Sequence, residues 1–105
     1  MANFAEHIRT TLCENDDFNN VEAVKILSTM DSAYLGPDKR DTDTLRSYIG
    51  QKITLDLALV LLNYEYDAGF GGQDCHNIYI WTKDKVYFVH EYDGATWLEY
   101  VDRNP

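Results

Sequence analysis

Cysteine and long apolar runs are scarce in this sequence, and each scarcity excludes a class of protein. The two cysteines, Cys13 and Cys75, are too few for a disulfide framework and lack the C-x-x-C spacing of many metal and redox sites. We therefore expect two free thiols. The longest apolar run, residues 57–62, is much shorter than the roughly 20 residues that cross a bilayer, so no membrane span is expected.

Basic residues are also few. The chain of 105 residues has nine Lys and Arg against 18 Asp and Glu, which gives a net charge of −9. Direct binding to a phosphate backbone is not expected, because affinity for nucleic acid comes mainly from Lys and Arg that displace counterions. A basic protein surface is the better candidate for a partner. The first residues carry neither a basic segment nor an apolar one, which argues against a secretory signal and predicts a cytoplasmic location.

The length predicts a single domain, residues 1–105, because a chain this short forms one core. Apolar residues recur at helical spacing in residues 1–61, which we expect to be mainly helical. In residues 62–105 apolar and polar residues alternate instead, so this part is expected to form an antiparallel sheet.

Two helices are predicted in the first third of the chain. Apolar residues recur every four positions over about residues 3–14, which places them on one face of a helix. Asn19 is the expected cap of the second helix, because its side-chain oxygen can accept from a free backbone N–H. This second helix would turn Val24, Leu27 and Met30 inward.

Two shorter helices are predicted next. Asp41 or Asp43 is the expected cap of the third, and Gly50 is well placed to end it in a left-handed conformation. The apolar run of residues 55–62 suits a buried helix or a buried strand. A helix capped by Thr54 is favoured, because leucine and alanine dominate the run.

Alternation predicts four strands, over residues 62–67, 78–81, 86–91 and 96–101. Turns are expected at residues 82–85 and at Asp93-Gly94, and the glycines in residues 69–72 predict a flexible loop. The predicted fold class is α+β, with N-terminal helices packed on a four-stranded antiparallel β-meander.

The two faces of the predicted sheet differ in composition. One face is an ordinary core-facing set, made of Leu62, Tyr64, Tyr66, Ile78, Ile80, Val86, Phe88, Leu98 and Tyr100. The other face interleaves acids with large apolar side chains, namely Glu65, Asp67, Glu91 and Glu99 with Tyr79, Trp81, Tyr87, Val89, Trp97 and Val101. A solvated face normally mixes both signs of charge, so the second face is the candidate functional surface.

Aromatic side chains are enriched at interface hot spots, and acids around them steer a basic partner. The predicted partner-binding residues are Glu65, Asp67, Asp74, Tyr79, Trp81, Tyr87, Glu91, Asp93, Trp97 and Glu99. Carboxylates on neighbouring strands could form a two-dimensional array that occupies a groove built for phosphates. The alternatives are a helix that covers this face, a homodimer joined through Trp81 and Trp97, and negative charge that only maintains solubility.

Few residues in the sequence suggest chemistry. Asp74-Cys75-His76, with His90, is the one arrangement that would suit a small Cys/His-dependent enzyme or a metal site, but neighbouring residues in a chain need not converge in space. The glycine-rich stretch has no Walker or dinucleotide-binding pattern, and the acids at residues 14–17 lack the EF-hand spacing. We therefore expect no enzyme, no metal and no cofactor.

Residues 66–73 (YDAGFGGQ) and 92–100 (YDGATWLEY) resemble a pattern in small proteins of phages and mobile elements. In size, acidity and lack of catalytic motifs the whole chain is similar to phage-encoded anti-CRISPR proteins. That resemblance implies a cofactor-free inhibitor in the cytoplasm of the host cell, with a CRISPR effector as its partner. The acidic and aromatic residues would then occupy a DNA-binding surface of the effector.

The sequence thus predicts a protein inhibitor that binds a basic, nucleic-acid-binding surface of a CRISPR effector, as a monomer or a homodimer. An immunity protein or antitoxin that neutralises a basic toxin would need the same surface, because the physics of the contact is the same. Genomic neighbourhood would separate these two alternatives.

Overall fold

The computed structural model describes residues 2–31, 34, 36–69 and 72–103, which form helices packed with antiparallel sheets, an α+β arrangement. The α-helices are α1 (Phe4–Glu14), α2 (Asp43–Tyr48) and α3 (Leu55–Leu61), and Phe18–Asn20 form one turn of 3₁₀-helix. The strands are β1 (Ala2–Asn3), β2 (Val21–Ile26), β3 (Glu65–Tyr66), β4 (Ile78–Thr82), β5 (Lys85–Tyr92) and β6 (Ala95–Asp102). Helix α1, the longest described helix, has 11 residues, and no described helix combines the length and apolarity needed to traverse a bilayer.

Two of the predicted helices are confirmed, α1 with its apolar face and α3 with its cap. Helix α1 buries Phe4, Ile8 and Leu12 on one side, as the four-residue spacing predicts. Helix α3 begins after Thr54, whose side chain accepts from the backbone N–H of Leu57 at 3.2 Å. That contact is the predicted cap.

The short helix α2 is also confirmed, but its cap is different. Thr42 accepts from the backbone N–H of Leu45, whereas Asp41 and Asp43 were the predicted caps. The carboxylate of Asp41 is engaged elsewhere, because it is bonded to His76. Gly50 follows the helix with a φ of 78°, a left-handed conformation that glycine adopts without steric cost.

The predicted second helix is wrong, since Val21–Ile26 form strand β2. Val24 and Ile26 are buried and Lys25 between them is more exposed, which is the alternation of a strand. β2 pairs antiparallel with β4, with Val24 opposite Ile80 and Ile26 opposite Ile78. The spacing of the apolar residues suited both structures, and pairing with β4 selected the strand.

The predicted meander is wrong in its first strand. The four-stranded sheet has the order β2-β4-β5-β6, so β2 occupies the place predicted for residues 62–67. β3, the only strand within that stretch, pairs with β1 in a separate two-stranded sheet. The other turns and hairpins are confirmed: β4, β5 and β6 are joined as predicted. Phe70 and Gly71, in the stretch predicted as a flexible loop, lie outside the described residues.

The core lies between the helices and one face of the four-stranded sheet. Buried side chains of α1 and α3 share a single apolar cluster with those of β2, β4, β5 and β6. From the sheet this cluster includes Val24, Ile80, Tyr87 and Leu98, each at most 8% exposed. All of these residues point to the same side, because directly opposed residues on paired strands share a face.

Candidate protein-binding surface

We call the side of the four-stranded sheet that points away from the helices the outer face. The pairing register defines two rows across all four strands. The central row runs Lys25, Tyr79, Phe88, Glu99, and the row beside it runs Ala23, Trp81, Val86, Val101. Toward the β5–β6 turn the outer face continues through His90, Trp97, Tyr92 and Ala95. Seven of these twelve side chains are aliphatic or aromatic residues larger than alanine.

No described part of the chain covers the outer face. None of its twelve residues is buried, and none belongs to the apolar core cluster or packs against it. Tyr79 is 41% exposed, Tyr92 71% and Val101 54%. The predicted alternative of a covering helix is therefore excluded for the described residues.

The aromatic rings of the outer face hold one another in place. Tyr79 meets Trp81 edge to face, with ring centroids 5.7 Å apart. Trp97 lies 4.8 Å from the ring of His90, and its indole N–H donates to Oε2 of Glu99 at 3.3 Å. Rings fixed by such contacts lose little conformational freedom when a partner binds.

Charge is found at the edges of the outer face, and the two edges differ in sign. Lys25 lies on edge strand β2 and Glu99 lies on edge strand β6. Near the β2 edge a depression of about 370 Å³ is lined by Trp81, Ala23, Glu22, Lys52 and Arg103. The prediction that the exposed sheet face holds acids without interspersed basic residues is therefore wrong, because β2, predicted as a helix, brings Lys25 into it.

The prediction for strand β5 is out of phase by one residue. Tyr87 and Val89 lie on the helix side, and Tyr87 is fully buried, so its predicted role in partner binding is wrong. Val86 and Phe88, predicted for the core, lie on the outer face opposite Trp81 and Tyr79. The predicted placements of Tyr79, Trp81, Trp97, Glu99 and Val101 on the outer face are confirmed.

Three of the candidate acids lie outside the four-stranded sheet. Glu65 is in β3, and Asp67 follows that strand. Asp74 is in the connection to β4, where it accepts from the guanidinium of Arg40 and from the backbone N–H of Asp67. The predicted two-dimensional array of carboxylates is therefore wrong, because Glu99 alone lies on the outer face. The other predicted members were Glu65, Asp67, Glu91 and Asp93.

The acids Glu91 and Asp93 mark the turn end of the β5–β6 hairpin. Glu91 points to the helix side but is exposed there, and it accepts from the backbone N–H of Gly94 at 3.2 Å. Asp93 is an exposed turn residue. Opposite Glu91, Thr96 donates its backbone N–H to the carbonyl of Ala68 at 2.7 Å, so the segment after β3 lies beside this end of the hairpin.

The residues of the alternative Cys/His site are not brought together. Cys75 is buried, and burial raises the pKa of its thiol to about 12, far from the range of a reactive thiolate. His76 is buried beside Asp41, whereas the ring of His90 lies against Trp97 on the outer face. Over the described ranges no three His, Cys, Asp or Glu side chains are grouped to hold a metal ion.

His76 instead belongs to a buried polar network that sequence reasoning missed. Its Nε2 lies 2.6 Å from the carboxylate of Asp41, and both side chains are fully buried. The hydroxyl of Tyr64 lies 2.7 Å from Nδ1 of His76 and accepts the backbone N–H of the same residue at 2.9 Å. The second carboxylate oxygen of Asp41 accepts the backbone N–H of Met30. Each of these polar groups has a partner, so the network ties Met30 and Asp41 to His76 in the protein interior.

Comparison of the chain with protein-family models, with curated proteins and with solved structures gave no match.

Proposed function

We propose that this protein is an inhibitor that binds a basic surface of a nucleic-acid-binding protein through the outer face and the adjoining end of the β5–β6 hairpin. The observation that carries this proposal is an apolar, aromatic sheet face that the described chain leaves uncovered. Such a face in a small protein marks an interaction surface, because monomers rarely expose large contiguous apolar patches.

The centre of the outer face supplies the contact area. Trp81, Phe88 and Trp97 are each partly exposed, and aromatic residues of this kind dominate the binding energy of protein interfaces. Their rings suit apolar side chains at the centre of the contact, with the basic groups of the partner around them.

The acids of the β5–β6 hairpin orient the basic partner. Residues 86–102 contain four acids, Glu91, Asp93, Glu99 and Asp102, and neither Lys nor Arg. None of the four has a Lys or Arg nitrogen within salt-bridge distance among the described residues. Unpaired acids beside an apolar centre accelerate encounter with a basic partner and disfavour acidic ones.

The class of target to test first is a CRISPR effector, because the chain is similar to anti-CRISPR proteins in size and acidity. Inhibition would follow from contact with the effector surface that nucleic acid uses. A ladder of carboxylates that imitates phosphates is not part of the proposal, since the acids do not line up across the outer face.

The test is a competition experiment with a purified effector–guide complex and labelled target DNA. The protein is expected to displace or exclude the DNA, and raising the salt concentration is expected to weaken this effect. Trp97→Ala should reduce inhibition at least about tenfold, since hot-spot truncations cost 2 kcal/mol or more. Val60→Ala is the matched control, because Val60 is 72% exposed on α3, away from the outer face.

Charge variants complete the test. Glu99→Lys should weaken inhibition, whereas Glu14→Lys, with the same change in net charge on α1, should leave it nearly unchanged. If Trp97→Ala and Glu99→Lys inhibit as well as the two controls, the outer face is not the binding surface and the proposal fails. If the protein binds a basic toxin and affects no effector, it is an immunity protein that uses the same surface.

A further inference from the structure

Strand β6 is an edge strand, and the turn that precedes it determines which of its backbone groups point outward. Asp93 and Gly94 form a two-residue turn with φ of 52° and 87°, and Tyr92 pairs with Ala95 across it. In such a hairpin the closing pair exchanges hydrogen bonds, and bonded pairs then alternate along the strands. The odd-numbered residues of β6 therefore bond to β5, and the even-numbered residues point their N–H and C=O groups away from the sheet.

Contacts of the backbone agree with this alternation and show how much of the edge is open. The N–H of Thr96 donates to the carbonyl of Ala68, so the start of the edge is covered. The N–H of Tyr100 meets only a carboxylate oxygen of its neighbour Glu99, at 3.4 Å. Among the described residues, no backbone group pairs with the outward side of Tyr100 or Asp102.

We propose that an extended, basic segment of the partner binds along the open half of this edge, residues 98–102, and adds a fifth strand to the sheet. This inference rests on the proposed function and specifies the form of the partner. The added strand takes its hydrogen bonds from Tyr100 and Asp102, as in other cases of strand addition to a sheet edge. A carbonyl group of the added strand accepts the N–H of Tyr100 and so replaces the long contact of that N–H with Glu99.

Charge along the edge selects a basic occupant. The side chain of Glu99 lies on the outer face of the sheet, and that of Asp102 lies on the helix side. Neither carboxylate has a Lys or Arg partner among the described residues. A Lys or Arg on either side of an incoming strand thus finds a carboxylate. A second copy of this chain would bring the same two acids and a net charge of −9, which opposes self-pairing.

The inference can be tested with defined peptides and the whole protein, using amide chemical shifts and amide hydrogen exchange. The probe is a capped eight-residue peptide of alternating Lys and Val. Binding of this peptide is expected to change the amide chemical shifts of Tyr100 and Asp102 and to slow their hydrogen exchange. The amides of Glu99 and Val101 should change less, because they already bond to β5. A peptide of alternating Lys and Pro has the same charge but cannot form a strand, and it should bind at least about tenfold more weakly.

A substitution in the protein tests the same contact from the other side. Proline at an outward-facing position removes the N–H of the edge and leaves pairing with β5 intact, so Tyr100→Pro should abolish binding of the Lys–Val peptide. Tyr100→Ala is the matched control, because it removes the same ring, which contacts Tyr87 and Lys85, and keeps the N–H. Circular dichroism and thermal melting verify that both variants fold.

The outcomes separate this inference from the proposed function. Equal binding of the Lys–Val and Lys–Pro peptides, or no amide shift at millimolar peptide, overturns the added strand whether or not Tyr100→Pro folds. Equal binding by Tyr100→Pro and Tyr100→Ala overturns it as well. In each case Trp97→Ala still reports on the outer face, so the proposed function survives if that variant loses inhibition.

Discussion

The hydroxyl of Tyr87 donates a hydrogen bond to the carboxylate of Asp17, which joins the centre of the sheet to the segment after α1. Lys85 and Asn20 donate to the same carboxylate. Burial opposes ionisation of Asp17, but these three hydrogen bonds outweigh it and lower the pKa of the carboxyl group below its ordinary value. A buried acid with several donors is expected to contribute to stability at neutral pH.

Tyr87→Phe should lower the free energy of unfolding by about 1.5–3 kcal/mol at pH 7, since it removes a hydrogen bond to a charged group. The folded-state pKa of Asp17 is lowered, so this stability is present above the ordinary Asp pKa and is lost as pH falls through the folded value. The difference between wild type and variant should therefore narrow in acid. Urea unfolding at several pH values measures it, with Tyr79→Phe on the outer face as the control. Equal effects of the two substitutions would contradict the role of Asp17.

The ion pair of Asp38 with Arg40 should make stability depend on pH. Hydrogen bonds from the Arg40 side chain hold the pKa of Asp38 at about 2. Its contribution is complete above the ordinary Asp pKa, near 4, and disappears as pH falls to about 2. Asp38→Asn should flatten the loss of stability over that interval, whereas Glu65→Gln, at an exposed site, should not. Parallel acid profiles for wild type and Asp38→Asn would argue against the ion pair.

The two cysteines should differ in reactivity. Cys13 is exposed and Cys75 is buried with its pKa raised to about 12, so a disulfide reagent at pH 8 should modify one thiol quickly. The second thiol should react only after denaturation. Cys13→Ser should remove the fast reaction altogether, and fast modification of both thiols in the native protein would show that Cys75 is accessible.

Loss of the Tyr64 hydroxyl should destabilise the buried network around His76. Tyr64→Phe leaves the buried backbone N–H of His76 without its acceptor, which costs about 1–3 kcal/mol. Tyr48→Phe is the matched control, because Tyr48 packs on the core and its hydroxyl makes no hydrogen bond within the described residues. Thermal or urea unfolding gives the loss in free energy of unfolding for each variant. A smaller loss for Tyr64→Phe than for Tyr48→Phe would rule out the network as a stabilising element.

The tryptophans should matter little for folding. Trp81→Ala and Trp97→Ala should each cost about 1 kcal/mol or less, the size of a cross-strand pair on an open face. Tyr87→Ala removes a fully buried ring and should cost about 3–5 kcal/mol. Equilibrium unfolding of the three variants gives the comparison. A cost for either tryptophan close to that of Tyr87→Ala would mean that the outer face is structurally essential.

Elements with a local signal were predictable from the sequence. Helix α1 repeats its apolar residues at one period, Thr54 caps α3, and the turn Asp93-Gly94 is typical of a two-residue hairpin. In each case the residues that decide the structure lie within a few positions of one another. β2 lacked that property, because only its partner β4, more than 50 residues later, distinguishes strand from helix.

The candidate surface was predictable in part, and the errors in its aromatic residues come from strand β5. Residues 86–89 are all apolar, so alternation alone cannot say which of them face the core. Counting pairs from the turn Asp93-Gly94 does decide it, since it places Phe88 opposite Glu99 and Val89 opposite Leu98. The separation of Glu65 and Asp67 from the sheet had no such local sign, because it depends on the pairing of β3 with β1.

Both tryptophans of the chain lie on the outer face and none lies in the core. Intrinsic fluorescence of this protein is therefore a built-in reporter of what approaches that surface. A ligand that shields the indoles from water should shift the emission to shorter wavelength without any attached dye.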